Sequence, residues 1–361
     1  MNINIIKQKL NAITDNDLGY NLEQLNAVKI VEQQGDDLFV LLELVPPINS
    51  IGAEIRKSAE AIISELEPNI NFTIEIKEKE LPKTPRNFLN GVKNIIAVAA
   101  GKGGVGKSAI AANLAASLSL TGAKVGLIDS DIYGPSQPTI WGMKDAKLPA
   151  EPTESGKTIV YPAEKHNVKI ASMGFLMQES DAAIVRGPIL ASYLQMLIEQ
   201  IEWGELDFIV FDLPPGTGDI QLTLTQKVPL TGAVVVTTPQ EISVVDVRRS
   251  VKMFEKVKVP VLGVVENMSY FIPEDAPDKK YYIFGQGGGK TIADEAQVRF
   301  LGEVPLLQKF RESNDNGLPY VFMGNDDEYV QKLNNISASI VQQIRKINYE
   351  KLDASELTIE I

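Results

Sequence analysis

The chain has no cysteine among its 361 residues. That absence excludes disulfides, thiolate zinc sites, thiol nucleophiles and iron–sulfur clusters held by the chain's own thiolates. Histidine occurs once, as His166, so a multi-histidine metal site is excluded as well. A Ser-His-Asp triad needs only one imidazole, but no partner motif accompanies His166, which reads as an ordinary loop residue. No stretch approaches the ~20 consecutive apolar residues of a membrane span. The opening segment MNINIIKQKL lacks the apolar core and small-residue cleavage site of a signal peptide, and the expected location is cytoplasmic. Basic residues are in the minority, with 35 Lys and Arg against 47 Asp and Glu and a formal net charge of −12. That balance disfavours the phosphate-neutralising contacts of nucleic-acid binding and adhesion to an anionic membrane. Neither nucleic acid nor membrane is an expected partner.

Hydrophobic residues make up 44% of the chain and charged residues 23%, a soluble composition with enough apolar side chains for a large core. The length corresponds to about two domains of ~150 residues. Residues 1–80 read as a small α+β domain. An amphipathic start (Ile5, Ile6, Leu10) leads to a polar turn at Thr14–Asp17, then strands at Ala27–Val31 and Leu38–Leu44 around Gln34-Gly35-Asp36. Pro46-Pro47 closes the second strand. A helix over Ile51–Leu66 and an edge strand over Asn71–Ile76 complete the domain. Residues 81–91, with Pro82 and Pro85 among charges, read as a linker.

Residues 92–361 alternate apolar strands with long helical patterns. Strands are expected at Ile95–Ala99, Val125–Asp129, Val168–Met173, Phe208–Asp212, Ala233–Thr238, Val261–Glu266 and Phe300–Val304. Helices are expected at Lys107–Leu120, Pro188–Trp203, Ser243–Lys256 and Lys290–Glu295. Near-continuous apolar strands predict an α/β domain whose mostly parallel sheet is flanked by helices on both faces. A last helix, about Asp327–Ile347, carries Val330, Leu333, Ile336, Ile340, Val341, Ile344 and Ile347 on one stripe. Its polar face is not basic, so packing on the sheet is expected rather than contact with a membrane.

Ile95–Ala100 runs into Gly101-Lys102-Gly103-Gly104-Val105-Gly106-Lys107-Ser108, followed by a helix rich in alanine and leucine. This is the G-x-x-x-x-G-K-S pattern in its strand–loop–helix setting. The glycines let backbone N–H groups turn toward phosphate oxygens, and the helix N-terminus adds its positive dipole end. Lys107 is expected to hold the β- and γ-phosphates of ATP, and the Ser108 hydroxyl to take one Mg²⁺ position. A glycine turn alone is often structural; strand, loop and helix together decide for a nucleotide. Lys102 has no evident role within its own loop.

A magnesium–triphosphate site also needs carboxylates at neighbouring strand ends. Leu127-Ile128-Asp129-Ser130-Asp131 supplies two, and Phe208-Ile209-Val210-Phe211-Asp212 a third. One aspartate at a strand end is commonly a cap or turn former. Three delivered to one sheet edge occupy the place where α/β sheets bind ligands. Asp212 is expected to order a metal-bound water, so that Ser108 and Asp212 belong to the expected Mg²⁺ set, with Asp129 and Asp131 as further carboxylates. Beyond it, Leu213-Pro214-Pro215-Gly216-Thr217-Gly218-Asp219 combines a stiff proline pair with hinges, a loop suited to sensing the γ-phosphate through the Gly216 amide.

These stretches belong to a longer series: GKGGVGKS (101–108), DSDIYGPS (129–136), SMGF (172–175), RGP (186–188), FDLPPGTGD (211–219), TTPQEISVVDVRRS (237–250), VENMSY (265–270) and FGQGGGK (284–290). With them the chain resembles the Mrp family of ATPases, the iron–sulfur cluster carrier proteins, along nearly its whole length. KGGVGK is similar to the deviant P-loop of the wider MinD/ParA class, and the first 80 residues look like the small domain that commonly precedes the ATPase. The resemblance implies a P-loop NTPase fold and Mg²⁺-dependent ATP hydrolysis. It also implies an ATP-bound homodimer in which Lys102 reaches the nucleotide of the opposite subunit. Asp131 would orient the attacking water, Asp129 support the metal site and Asn267 contact adenine. The partners implied are iron–sulfur donor or client proteins.

Many members of that family carry C-x-x-C shortly after the ENMSYF stretch, and those thiolates hold a cluster bridging the dimer. Here the corresponding stretch is Ile272-Pro273-Glu274-Asp275-Ala276-Pro277-Asp278, without cysteine. Glu274, Asp275 and Asp278 offer hard oxygen atoms, poor substitutes for thiolates toward an iron–sulfur core, and read as a solvated acidic loop. The expected function is an ATPase acting in iron–sulfur cluster assembly or transfer. The alternative is an ATP-dependent dimeric switch or adaptor for a protein partner without a cluster.

Overall fold

The computed structural model describes residues 2–82, 88–131, 134–152, 158–176, 192–216, 218–273 and 275–359. They form two compact units: Met1–Pro85 with Val341–Ile361, and Arg86–Ile340.

In the first unit, α1 (Ile3–Asn11) precedes the short paired strands β1 (Thr14–Asp15) and β2 (Tyr20–Asn21). The hairpin β3 (Val28–Gln34) and β4 (Asp37–Leu44), helix α2 (Ile51–Leu66) and strand β5 (Phe72–Glu78) follow. The period of two in β4 buries Leu38, Val40, Leu42 and Leu44 on one face. The stripe Ile51, Ile55, Ala59 and Ile63 of α2 enters the same core. Because α2 is a crossover between β4 and β5, those strands pair in parallel, and β5 lies at an edge of the order β3-β4-β5.

The second unit begins with β6 (Val92–Ala99), α3 (Lys107–Leu120), β7 (Val125–Asp129) and the short α4 (Gln137–Ile140). Strands β8 (Ala150–Pro152), β9 (Thr158–Val160), β10 (Ala163–Lys165), β11 (Val168–Ser172) and β12 (Leu206–Asp212) lead to α5 (Asp219–Lys227). Then come β13 (Gly232–Thr237), α6 (Glu241–Lys256), β14 (Val261–Phe271), α7 (Gly288–Glu295), β15 (Phe300–Leu306), α8 (Gln308–Asp315) and α9 (Glu328–Ile359). Eight strands make one sheet in the order β10-β11-β7-β12-β6-β13-β14-β15. Every neighbouring pair is parallel except β10 with β11. The expected mostly parallel α/β architecture is what forms.

Within this sheet β10 is the strand that the apolar pattern misses; the separate β8–β9 pair is missed as well. It reaches β11 through a two-residue turn at His166 and Asn167, with φ of +49° and +61°, the left-handed pair a tight hairpin demands. His166 is exposed there, its ring 4.8 Å from that of Phe322. Helix α3 differs from a surface helix: Ile110, Ala111, Ala112, Leu114, Ala115, Ala116 and Leu118 are all buried. Its polar residues are satisfied internally. Asn113 Oδ1 accepts from the Val321 amide at 3.0 Å, and Ser117 Oγ donates to Asn334 Oδ1 at 2.7 Å. Of the expected helix Pro188–Trp203, residues 188–191 lie outside the described residues, and Met196–Gln200 form a π-helical turn.

One domain boundary needs correction. The sequence pattern predicts one unit over 92–361, whereas Val341–Ile361 groups with the first. The reason is Arg345, fully buried, which donates to Asp15 Oδ1 and Oδ2 at 2.8 and 2.6 Å and to Asp17 Oδ2 at 2.8 Å. Its Nε donates to the Val45 carbonyl at 3.1 Å, and Asn348 Nδ2 donates to that of Pro46 at 3.0 Å. A stripe of apolar residues reveals that a helix packs, not which unit it packs in.

Candidate nucleotide site

Register builds the site before any side chain is considered. β12 lies between β6 and β7, with Asp212 opposite Asp129 on one side and Val98 on the other; Ser172 of β11 is opposite Asp129. Ser172, Asp129 and Asp212 therefore end one row at the carboxyl edge of the sheet, the edge where open α/β sheets take ligands. The loop 101–106 leaves the adjacent strand β6 and enters α3.

Gly104 and Gly106 in that loop have φ of +82° and +80°, which glycine adopts without strain. A Cβ on Gly103 or Gly104 would meet nothing within 4 Å, so the loop is an open cradle. Gly101 and Gly106 serve packing instead. A Cβ on Gly101 would lie 2.5 Å from the Asp246 carbonyl carbon in α6, and one on Gly106 would run into Asn267 Nδ2. Buried Asn267 donates that Nδ2 to the Val105 carbonyl at 2.8 Å, which ties β14 to the loop.

Beneath the loop, Lys107 Nζ is paired with Asp212 Oδ1 and lies 3.2 Å from Ser108 Oγ. The other oxygen of Asp212 accepts from Gln137 Nε2 at 2.8 Å, and the same nitrogen donates to the Ser108 carbonyl at 3.0 Å. Asp129 Oδ2 accepts from the Gln137 amide at 3.1 Å and from Ser172 Oγ at 2.9 Å. The half-buried Asp131 donates its amide to Asp129 Oδ1 at 3.2 Å. Burial, and next the charge of Asp212, push the Asp129 carboxyl from 3.8 up to about 7; Lys107, the Gln137 amide and the Ser172 hydroxyl pull it down.

The donor set suits a hard divalent cation: a hydroxyl and two buried carboxylates balanced by one ammonium. Gln137 Oε1, buried without a partner among the described residues, leaves an acceptor for a water in such a shell. No group of three His, Cys, Asp or Glu side chains placed to hold a metal occurs among the described residues. The residues thus suit Mg²⁺, which keeps most of its water and phosphate ligands and takes only one or two groups from the protein.

Gly101, Gly103–Ser108, Asp129, Asp131, Asp212 and Asn267 come together here. Two expected participants are engaged elsewhere. Lys102 Nζ meets Gln240 Oε1 at 3.3 Å, just ahead of α6. The Gly216 amide donates to the Ala100 carbonyl at 3.0 Å, a bond that must open before this amide can serve a phosphate. Thr217 and Glu274 lie outside the described residues, while Asp275 and Asp278 are exposed, as a solvated loop requires. Gln137 and Ser172 were not singled out by sequence reasoning, although Ser172 opens SMGF and Gln137 directly follows DSDIYGPS. Within FGQGGGK, Gly288 and Gly289 serve packing: the Gly289 amide donates to Glu266 Oε2 at 2.6 Å, and a Cβ on Gly288 would lie 2.5 Å from the Pro239 carbonyl oxygen.

Residues 91–341 match the ParA family, described as NUBPL iron-transfer P-loop NTPase. The chain belongs to this family. The ParA-family assignment agrees with the motifs and with the relatives. An iron-sulfur cluster carrier protein of Synechocystis is 42% identical over 342 residues, 93% of this chain and 96% of that protein. A nucleotide-binding protein of Archaeoglobus fulgidus, solved in complex with ADP, is 34% identical with a TM-score of 0.55, covering 63% of this chain and 88% of that one. The cell division ATPase MinD of Pyrococcus furiosus, 20% identical with a TM-score of 0.50, covers 68% of this chain and 98% of its own and shows the shared fold. The ParA-family chain is therefore a nucleotide-binding P-loop NTPase. Among its described residues no helix is long and apolar enough to cross a membrane.

Proposed function

We propose that this chain is a cytoplasmic, Mg²⁺-dependent ATPase that works as a homodimer in the assembly or delivery of iron–sulfur clusters. The observation that carries the proposal is the convergence of Lys107, Ser108, Asp129 and Asp212 beneath an open glycine cradle. Amides of residues 103–108 receive the phosphates, Lys107 exchanges Asp212 for phosphate oxygens, and Asn267 contacts adenine from its place beside the loop. Mg²⁺ held by Ser108 and Asp212, with Asp129 supporting them, supplies positive charge to the phosphate oxygens. Asp131 orients the attacking water, and Gly216 senses the γ-phosphate once its bond to Ala100 opens.

Lys102 supports the dimer. It rests on Gln240 rather than on its own loop, and the neighbouring α6 exposes Ile242 and Val245, apolar side chains that a second subunit would cover. The cluster is cargo in this reading. Relatives carry the name iron-sulfur cluster carrier protein, while this chain has no thiolate, so cysteines of a donor or client protein hold the cluster. Anaerobic reconstitution with iron and sulfide, followed by desalting and an ATPase assay, tests both halves. The expected result is ATP hydrolysis without a retained stoichiometric cluster. Sulfur-to-iron charge-transfer absorption co-eluting with one cluster per dimer would refute the division of labour, and absence of ATP turnover would refute the enzyme.

A further inference from the structure

We infer that Gln137 is a positioning residue of the nucleotide site, its carboxamide setting the Asp212 carboxylate and the Ser108 end of the loop for the divalent cation. Gln137 is fully buried. Its Nε2 carries two hydrogens and faces two acceptors, Asp212 Oδ2 at 2.8 Å and the Ser108 carbonyl at 3.0 Å. Two acceptors on one side decide which end of the amide is nitrogen. Its backbone amide holds Asp129 Oδ2 at 3.1 Å. A single residue thus touches the phosphate loop and both carboxylate strands.

The consequence lies in how Asp212 is held. One of its oxygens is on Lys107 and the other on Gln137. When Lys107 turns to a phosphate, Gln137 remains to keep the plane of the Asp212 carboxylate. The opposite end of the carboxamide, Oε1, is buried with no partner among the described residues, an unfavourable state for an acceptor. Methionine would fill the same space without an unpaired acceptor, so the amide chemistry rather than the shape distinguishes this position. The inference rests on the proposed nucleotide reading and assigns Oε1 to a water of the cation's shell.

Gln137→Met keeps the length and removes donor and acceptor; Gln137→Leu does so with a branched side chain. Wild type and both variants are compared for ADP affinity without metal, for Mn²⁺ affinity of the ADP-bound protein by electron paramagnetic resonance, and for kcat and KM with ATP. Mn²⁺ affinity should fall about tenfold or more, the scale of losing a hydrogen bond to a charged group, a larger loss than that of metal-free ADP affinity. kcat should fall with KM nearly constant. Wild-type Mn²⁺ affinity and kcat in a folded variant would overturn the assignment. Failure of both variants to fold would also overturn it, in favour of a purely structural role. Absence of ADP binding by the wild type would instead overturn the nucleotide reading itself.

Discussion

Replacing Lys107 with alanine in the nucleotide-free protein removes the ammonium paired with Asp212 and leaves Asp129 and Asp212, both 0% exposed, side by side on adjacent strands. Removing one partner of a buried ion pair costs about 3–5 kcal/mol, a large share of the ~5–15 kcal/mol that holds a domain folded. The loss has a predictable pH dependence. Burial and Asp212 already raise the Asp129 carboxyl from 3.8 to about 7 against the pull of Lys107, and without that pull it rises further. A carboxyl whose folded value lies above its unfolded value binds protons more readily when folded. Its cost is therefore fully present above the folded value and fades as the pH falls toward the unfolded one. Lys107→Ala should lose about 3–5 kcal/mol near pH 8 and progressively less toward pH 5.

Urea unfolding followed by tryptophan fluorescence reads this loss selectively. The chain has 2 tryptophans, Trp141 and Trp203, both buried within Arg86–Ile340, so the signal reports the unit that holds the site. A variant destabilised equally at both pH values, or not at all, would refute the reasoning. It would mean that solvent or another group already compensates the two carboxylates.

The same Lys107→Ala variant should fail to bind ATP in calorimetry. Lys102→Ala should retain nucleotide binding yet lose the ATP-dependent dimer on a sizing column; an intact dimer would remove the cross-subunit role. Asp131→Ala should bind MgATP and accumulate the ATP-bound dimer while kcat drops by about 10²-fold or more, the scale of a lost proton-handling or water-orienting group; an unchanged turnover number would exclude it. Arg345→Ala should cost about 3–5 kcal/mol by leaving Asp15 buried without its cation. Hydrogen exchange of the β4 amides measures this, and unchanged protection of Val40 and Leu42 would show that the ion pair contributes nothing.

Much of the P-loop unit was legible because its signals are short-range. Apolar runs such as Ile95–Ala99 and Phe208–Phe211 read as buried strands, and the glycine spacing of 101–106 reads as a phosphate loop without knowledge of its neighbours. Asp129 and Asp212 were identifiable because each ends such a run, and a parallel sheet brings strand ends to one edge. β10 was not, since three residues with an exposed Glu164 and a turn at His166-Asn167 carry no apolar pattern. The π-helical turn Met196–Gln200 likewise has the same composition as an ordinary helix end.

Partner choice belonged to the tertiary structure. The Arg345–Asp15 pair joins residues 330 positions apart, and nothing near either residue names the other. The Gly101 approach to Asp246, the Lys102 contact with Gln240 and the Asn267 hold on Val105 likewise depend on how α6 and β14 pack beside the loop. Gln137 makes the distinction clearest. Its sequence position beside DSDIYGPS placed it near the site, but only the in-register alignment of β7 with β12 sets Asp129 and Asp212 so that one residue bonds both. Local chemistry determined which residues were available to bind a nucleotide. Register and packing determined which of them touch, because hydrogen bonds form between neighbours in space and the chain's order does not specify those.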